Sequence, residues 1–117
     1  MKTVLIVDDS RTSRRILRDI LEKAGYEVVG EAVNGQDGVD QYVKLGPDVV
    51  TMDITMPQVD GLESLKLIRK FNPNAKVIMI TAAGQKEKMV EAVKYGAIEF
   101  IAKPFMESSV LEALKHC

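Results

Sequence analysis

Five short apolar runs, spaced along the chain and rich in β-branched residues, leave few architectures open to this sequence. They cover residues 4–7, 28–29, 49–52, 77–80 and 100–102. The runs show little alternation of apolar and polar residues, which is typical of strands buried on both faces of a sheet. The run at 28–29 is the weakest and is followed by Gly30 and Glu31, so we expect it at an edge of the sheet.

The segments between the runs have the spacing of amphipathic helices. The apolar stripe of the first helix consists of Ile16, Leu17, Ile20, Leu21 and Ala24. Gly25 is expected to end this helix, and similar stripes predict four more, with Ser108 or Ser109 as the N-cap of the last. Because strands that alternate with helices need crossover connections, the pattern predicts an α/β fold, a doubly wound, five-stranded parallel sheet with helices on both faces.

Length and charge narrow the class of protein further. The 117 residues suit one domain, 1–117, and the formal net charge of −1 gives no strong field for binding nucleic acid or an acidic membrane. No apolar run approaches the ~20 residues of a membrane span. The sole cysteine, Cys117, has no partner for an intrachain disulfide, which favours a reducing compartment. We therefore expect a cytoplasmic domain without direct nucleic-acid or membrane binding.

Polar side chains follow four of the five runs, where ligands bind in open parallel sheets. Asp8 and Asp9 follow the first run, Asp53 the third, Thr81 the fourth and Lys103 the fifth. Three adjacent carboxylates repel one another, by about 4 kcal/mol per pair at ~4 Å with an effective dielectric constant of ~20. Such a cluster is stable when it is protonated, paired with lysine or bound to a hard cation. The all-oxygen donors suit Mg²⁺ better than zinc or copper.

The strand ends also carry four motifs that together are specific. They are Asp8-Asp9, the segment 53–57 (Asp-Ile-Thr-Met-Pro) with Asp60-Gly61, the segment 81–84 (Thr-Ala-Ala-Gly) and the segment 100–105 (Phe-Ile-Ala-Lys-Pro-Phe). In this order the motifs resemble the receiver domain of two-component response regulators, and within that family the single-domain regulators of chemotaxis. The resemblance covers essentially the whole chain. It implies a flavodoxin-like sheet of strand order 2-1-3-4-5.

The resemblance also implies a phosphorylation site. Asp53 would accept a phosphoryl group from the phosphohistidine of a sensor histidine kinase. Asp9, Asp53 and the main-chain carbonyl of Thr55 would ligate Mg²⁺, and Asp8 would hold the ion through water.

Further residues of the motifs would transmit the signal. Lys103 and Thr81 would contact the phosphoryl oxygens, and Phe100 would turn inward as the loop after the fourth strand closes. The peptide bond between Lys103 and Pro104 is expected to be cis. The output would be a changed protein-binding face made of the fourth helix, fifth strand and fifth helix, read by a downstream protein such as the flagellar motor switch. The protein is then a monomeric switch that phosphorylates and dephosphorylates itself, not a turnover enzyme.

Other interpretations remain open from the residues. The chain could be the receiver part of a larger transcription factor or output enzyme. A flavodoxin-like cofactor carrier needs a phosphate-binding loop after the first strand, where Asp8-Asp9-Ser10 stands without glycine. An aspartyl-phosphate phosphatase would place a second carboxylate at the position of Thr55. Taken singly, Asp8 and Asp9 fit helix caps. Pro57, Asp60 and Gly61 fit plain turn chemistry.

Overall fold

A computed structural model describes residues 2–56 and 59–117, so that Pro57 of the second motif lies outside the described residues. Strands and helices alternate strictly along this part of the chain. In order they are β1 (Thr3–Val7), α1 (Arg11–Lys23), β2 (Glu27–Ala32), α2 (Gly35–Leu45), β3 (Val49–Asp53), α3 (Gly61–Phe71), β4 (Val77–Thr81), α4 (Lys86–Lys94), β5 (Glu99–Ala102) and α5 (Glu107–Lys115).

The strands form one parallel sheet in the order β2-β1-β3-β4-β5. The predicted α/β fold and strand order are confirmed, and β2 lies at an edge as expected. The neighbouring strands β3 and β4, in the interior of the sheet, are buried along their whole length. This double burial explains why their sequences do not alternate between apolar and polar residues.

Two apolar layers cover the faces of the sheet. Alternate residues of a strand point to opposite faces, so that Val77 and Met79 of β4 pack beneath α2, α3 and α4, whereas Ile78 and Ile80 pack beneath α1 and α5. Because both faces are covered, the edge where the strands reach their carboxyl ends is the place where polar groups gather. None of the described helices has the length and apolar character needed to cross a bilayer.

Two local expectations were wrong. Ile16 belongs to the predicted apolar stripe of α1 but is 45% exposed, because the face of the helix that packs against the sheet is formed by Leu17, Ile20 and Leu21. The last helix begins at Glu107 with Met106 in the N-cap position, so neither Ser108 nor Ser109 caps it. Phe105 packs against the apolar layer beneath α1 and α5. This contact places the next residue, Met106, at the start of the helix, two residues before Ser108.

Candidate functional site

Three carboxylates meet at the carboxyl edge of the sheet. Asp8 and Asp9 directly follow β1, and Asp53 is the last residue of the neighbouring strand β3. One carboxylate oxygen from each residue lies within 4.8 Å of the other two. Asp8 and Asp53 are buried, whereas Asp9 is exposed. The strand ends thus bring together the acidic residues that the sequence singled out.

Lys103 reaches the same cluster from the end of β5. Its ammonium nitrogen lies 3.1 Å from Asp8 Oδ2 and 3.4 Å from Asp53 Oδ2. Its main-chain N–H donates to the carbonyl of Thr81 at 2.8 Å, which fixes the start of the loop after β5. The peptide bond between Lys103 and Pro104 is cis. Lys103 is therefore the cation that partly balances the three carboxylates.

The charges of the cluster perturb one another strongly. Burial and then repulsion from Asp8 raise the pKa of Asp53, the Lys103 ammonium opposes both effects, and the result is a pKa of about 6. Burial acts to lower the pKa of Lys103, but its close ion pairs with Asp8 and then Asp53 outweigh the burial and leave the pKa raised. At neutral pH the site holds more negative than positive charge, which favours a further cation.

The donor set fits Mg²⁺. Asp8 Oδ1 accepts a hydrogen bond from the Ser10 N–H at 2.8 Å. Asp8 Oδ2 is buried with no hydrogen-bond partner among the described residues, although the Lys103 ammonium is close to it. A buried carboxylate oxygen of this kind, beside two further carboxylates, is what a hard cation with oxygen ligands would satisfy. The cluster offers no imidazole or thiolate of the type that zinc or copper prefers.

The loops around the cluster are shaped by the N-caps of α1 and α3 and by a close approach between the backbones of Gly61 and Asp53. Ser10 is the N-cap of α1 and accepts from the Ser13 N–H, so neither Asp8 nor Asp9 has that task. Asp60 caps α3. A Cβ on Gly61 would lie 2.1 Å from the carbonyl oxygen of Asp53, so only glycine fits here. Asp60 is thus a helix cap, and Gly61 lets the start of α3 pack closely against the end of β3.

Comparison with known proteins agrees with this geometry. The family model described as response regulator receiver domain matches residues 4–115. The chain belongs to this family. The chemotaxis protein CheY of Thermotoga maritima is 55% identical over 113 residues, which cover 97% of this chain and 94% of the relative.

Solved structures give the same result for this receiver domain. CheY in a CheX-CheY-BeF₃-Mg²⁺ complex from Borrelia burgdorferi is 37% identical, with a TM-score of 0.92 over 97% of this chain and 86% of that one. The response regulator domain of CheB from Thermotoga maritima is 38% identical, with a TM-score of 0.88 over 98% of this chain and 92% of that one. The receiver fold and the family are therefore established by two independent routes.

Three further predicted residues of the receiver domain lie on β4, on β5 and in the β3–α3 loop. Thr81 is buried at the end of β4, beside Ala102 of β5. Phe100 is half-buried and packs against the apolar layer beneath α2, α3 and α4. Thr55 is exposed, and its hydroxyl accepts a hydrogen bond from Gln85. Sequence reasoning missed Gln85, because a single half-buried glutamine before a helix belongs to no periodic pattern.

Proposed function

We propose that this receiver domain is a phosphorylation-activated response regulator whose phosphoacceptor is Asp53. The observation that supports it is the convergence of Asp53 with Asp8, Asp9 and the Lys103 ammonium at one edge of the sheet. An Asp53 oxygen would attack the phosphorus of a phosphohistidine, the P–N bond would break, and the imidazole would leave as the acyl phosphate forms.

Each neighbour of Asp53 has a proposed task in this transfer. Asp9, Asp53 and the main-chain carbonyl of Thr55 would hold Mg²⁺, with Asp8 acting through water. Bound Mg²⁺ supplies positive charge for the oxygens of the transferring group, which is the main requirement of phosphoryl transfer. Lys103, which now faces Asp8 and Asp53, would turn its ammonium to a phosphoryl oxygen.

The output follows from the extra charge on Asp53. Phosphorylation takes the side chain from one negative charge towards two and adds acceptor oxygens. Thr81 would move to donate its hydroxyl hydrogen to one of them and draw the β4–α4 loop inward, and the half-buried Phe100 would follow. A charge-assisted hydrogen bond is worth roughly 1.5–3 kcal/mol. One such bond made only in the active state would shift the population about tenfold or more.

The partners are proposed from the relatives. The Thermotoga maritima relative is named a chemotaxis protein, and the Borrelia burgdorferi complex contains BeF₃ and Mg²⁺ with CheY and CheX. We therefore assign a sensor histidine kinase as phosphodonor and a downstream protein as target, for example the flagellar motor switch. In this role the chain is a monomeric cytoplasmic switch and not a turnover enzyme.

A second candidate is the receiver part of a larger regulator. The likeness to the response regulator domain of CheB favours it, because that domain shares the fold and 38% of the residues. Both candidates use the same phosphorylation chemistry. The reading frame of the full gene distinguishes them, since an output domain fused to this chain would favour the second.

Labelling with a radioactive phosphohistidine donor or with acetyl phosphate tests the proposed chemistry. We expect stoichiometric, Mg²⁺-dependent labelling of the wild-type protein and none of Asp53→Asn, because the attacking oxygen is gone. Asp60→Asn is the matched control, since it removes the same charge from a helix cap that asparagine also serves. Stable labelling of Asp53→Asn, or an unlabelled wild-type protein, would contradict the assignment.

A further inference from the structure

One glutamine joins the two loops that flank the acidic cluster. Gln85 Oε1 accepts a hydrogen bond from the main-chain N–H of Ala82 at 2.7 Å, and Gln85 Nε2 donates one to Thr55 Oγ1 at 2.6 Å. Thr55 lies two residues after Asp53 in the β3–α3 loop, and Ala82 directly follows Thr81 in the β4–α4 loop. The two bonds therefore fasten the loop after the proposed phosphoacceptor to the loop after the proposed switch threonine.

Gln85 also connects these loops to α4. It occupies the N-cap position of α4, yet its side chain makes no capping hydrogen bond to the helix. Its main-chain carbonyl accepts from the Met89 N–H at 3.0 Å, within the first turn. The helix is anchored lightly, because Ala92 is its one buried residue and Met89 packs only in part against the apolar layer. A change at the Gln85 side chain is therefore expected to alter the start of α4, a helix with few buried contacts.

We propose that Gln85 is a positioning residue that holds the receiver in its unphosphorylated arrangement through its hydrogen bond to Ala82. The inference rests on the proposed function, in which Thr81 moves toward a phosphoryl group on Asp53. Because Thr81 and Ala82 share a peptide bond, this movement displaces the Ala82 N–H. A short hydrogen bond to a side chain that is anchored at its other end on Thr55 resists the displacement. Phosphorylation has to break it, and the freed N–H then becomes a donor for phosphoryl oxygens.

The expected size of the effect follows from the bond that is lost. A hydrogen bond of ordinary net strength favours the state that makes it by about two- to tenfold. Gln85→Met keeps the length of the side chain but removes its amide, so it lowers the cost of switching. We expect beryllofluoride, a mimic of the phosphoryl group, to bind this variant about two- to tenfold more tightly in the presence of Mg²⁺. A merely structural glutamine would give a less stable protein without any gain in this affinity.

The test is a beryllofluoride titration of the full chain with Mg²⁺, followed by NMR of the backbone amides. Hydrogen exchange at Ala82 in the absence of beryllofluoride reports the bond itself, and we expect faster exchange in Gln85→Met. Gln36→Met is the matched control, because it makes the same change near the start of α2, where the side chain donates to Asp40. Gln85→Ala is a second variant, to be used if Gln85→Met does not fold.

A third variant tests the anchor on Thr55. Thr55→Val removes the hydroxyl but leaves the main-chain carbonyl in place. If Gln85 works through both loops, the effects of Thr55→Val and Gln85→Met on beryllofluoride affinity are less than additive in the double variant. Fully additive effects would overturn the bridging role.

The outcomes separate this inference from the proposed function. If wild type and Gln85→Met bind beryllofluoride equally well, or if exchange at Ala82 is the same in both, the inference is overturned while the phosphorylation chemistry stands. If the wild-type protein neither binds beryllofluoride nor is labelled at Asp53, the proposed function is overturned and the role of Gln85 with it. Tighter binding of beryllofluoride by Gln85→Met, with Gln36→Met equal to wild type, supports the positioning role of Gln85.

Discussion

Replacing Asp53 with asparagine is expected to stabilise the metal-free protein at neutral pH, although we also expect it to abolish the proposed phosphorylation. Asp53 is 8% exposed and lies beside Asp8, so ionisation of its carboxyl group destabilises the folded protein. The attraction of the Lys103 ammonium offsets this destabilisation only in part. Asparagine has nearly the same shape and no charge. The replacement therefore removes both the repulsion from Asp8 and the cost of burying a charge.

The pKa of Asp53 gives the size of the gain. It is raised from an ordinary 3.8 to about 6, and each tenfold change in proton affinity corresponds to about 1.4 kcal/mol. The ionised form of Asp53 thus costs the folded state up to about 3 kcal/mol at pH values above 6. This is a ceiling, because Lys103 loses one of its two carboxylate partners when asparagine replaces Asp53.

The pH dependence has a definite sign. A carboxyl group with a raised pKa in the folded state binds its proton more tightly there than in the unfolded chain. Protonation therefore stabilises the fold as the pH falls from about 6 towards 3.8. The wild-type protein should gain free energy of unfolding relative to Asp53→Asn over this range, so the advantage of the variant shrinks as the solution becomes more acidic.

Urea unfolding followed by circular dichroism, with EDTA present, measures the free energy of unfolding of wild type and Asp53→Asn. Measurements at pH 7.5, 6 and 5 give both the gain in stability and its pH dependence. Asp60→Asn is the control and should gain nothing, since Asp60 caps α3 and lies outside the carboxylate cluster. Adding Mg²⁺ should stabilise the wild type more than Asp53→Asn, because ligand binding to the folded state adds to its stability. The reasoning is refuted if metal-free Asp53→Asn is no more stable than wild type at pH 7.5, or if the difference does not shrink towards pH 5.

Two further replacements examine how the sheet supports Asp53. Thr51→Val exchanges a buried hydroxyl, which has no hydrogen-bond partner within residues 2–56 and 59–117, for a methyl group. Urea unfolding should therefore show unchanged stability or a gain of up to about 1 kcal/mol; a large loss would mean that the hydroxyl is satisfied. Gly61→Ala places a Cβ 2.1 Å from the Asp53 carbonyl oxygen and 2.7 Å from Ile54 Cα, so we expect a loss of several kcal/mol on the scale of severe single replacements, with slower labelling of Asp53. Wild-type stability and labelling rate in Gly61→Ala would contradict this.

The sequence predicted the central strands well but the length of the edge strand β2 poorly. The runs at 49–52 and 77–80 match β3 and β4 to within a residue, because strands buried on both faces must be apolar throughout. β2 extends over Glu27–Ala32, well beyond the predicted 28–29. An edge strand that is half-buried tolerates Gly30 and Glu31, so its apolar run is too short to mark its length.

The site was predictable where topology alone places the residues. Parallel strands bring their carboxyl ends to one edge, and this is sufficient to bring Asp8, Asp9 and Asp53 together. The contact of Lys103 with Asp8 depends on how a long side chain crosses the edge from β5, which no pattern specifies. The bridge from Gln85 to Thr55 and Ala82 joins two loops that have no periodicity, so it becomes visible only in three dimensions.

The same arrangement that destabilises Asp53 prepares it for chemistry. β3 is buried along its length between two apolar layers, and Gly61 packs directly on the carbonyl of Asp53, so the backbone that carries the Asp53 side chain has little room to shift away from Asp8. The repulsion is therefore retained in the folded protein instead of being relaxed by movement. On the proposed function, a cation bound to the three carboxylates would relieve the repulsion, and a phosphoryl group on Asp53 would restore it with greater charge. We expect this repulsion to displace the loop that Gln85 fastens, and so to couple occupancy of the site to the position of α4.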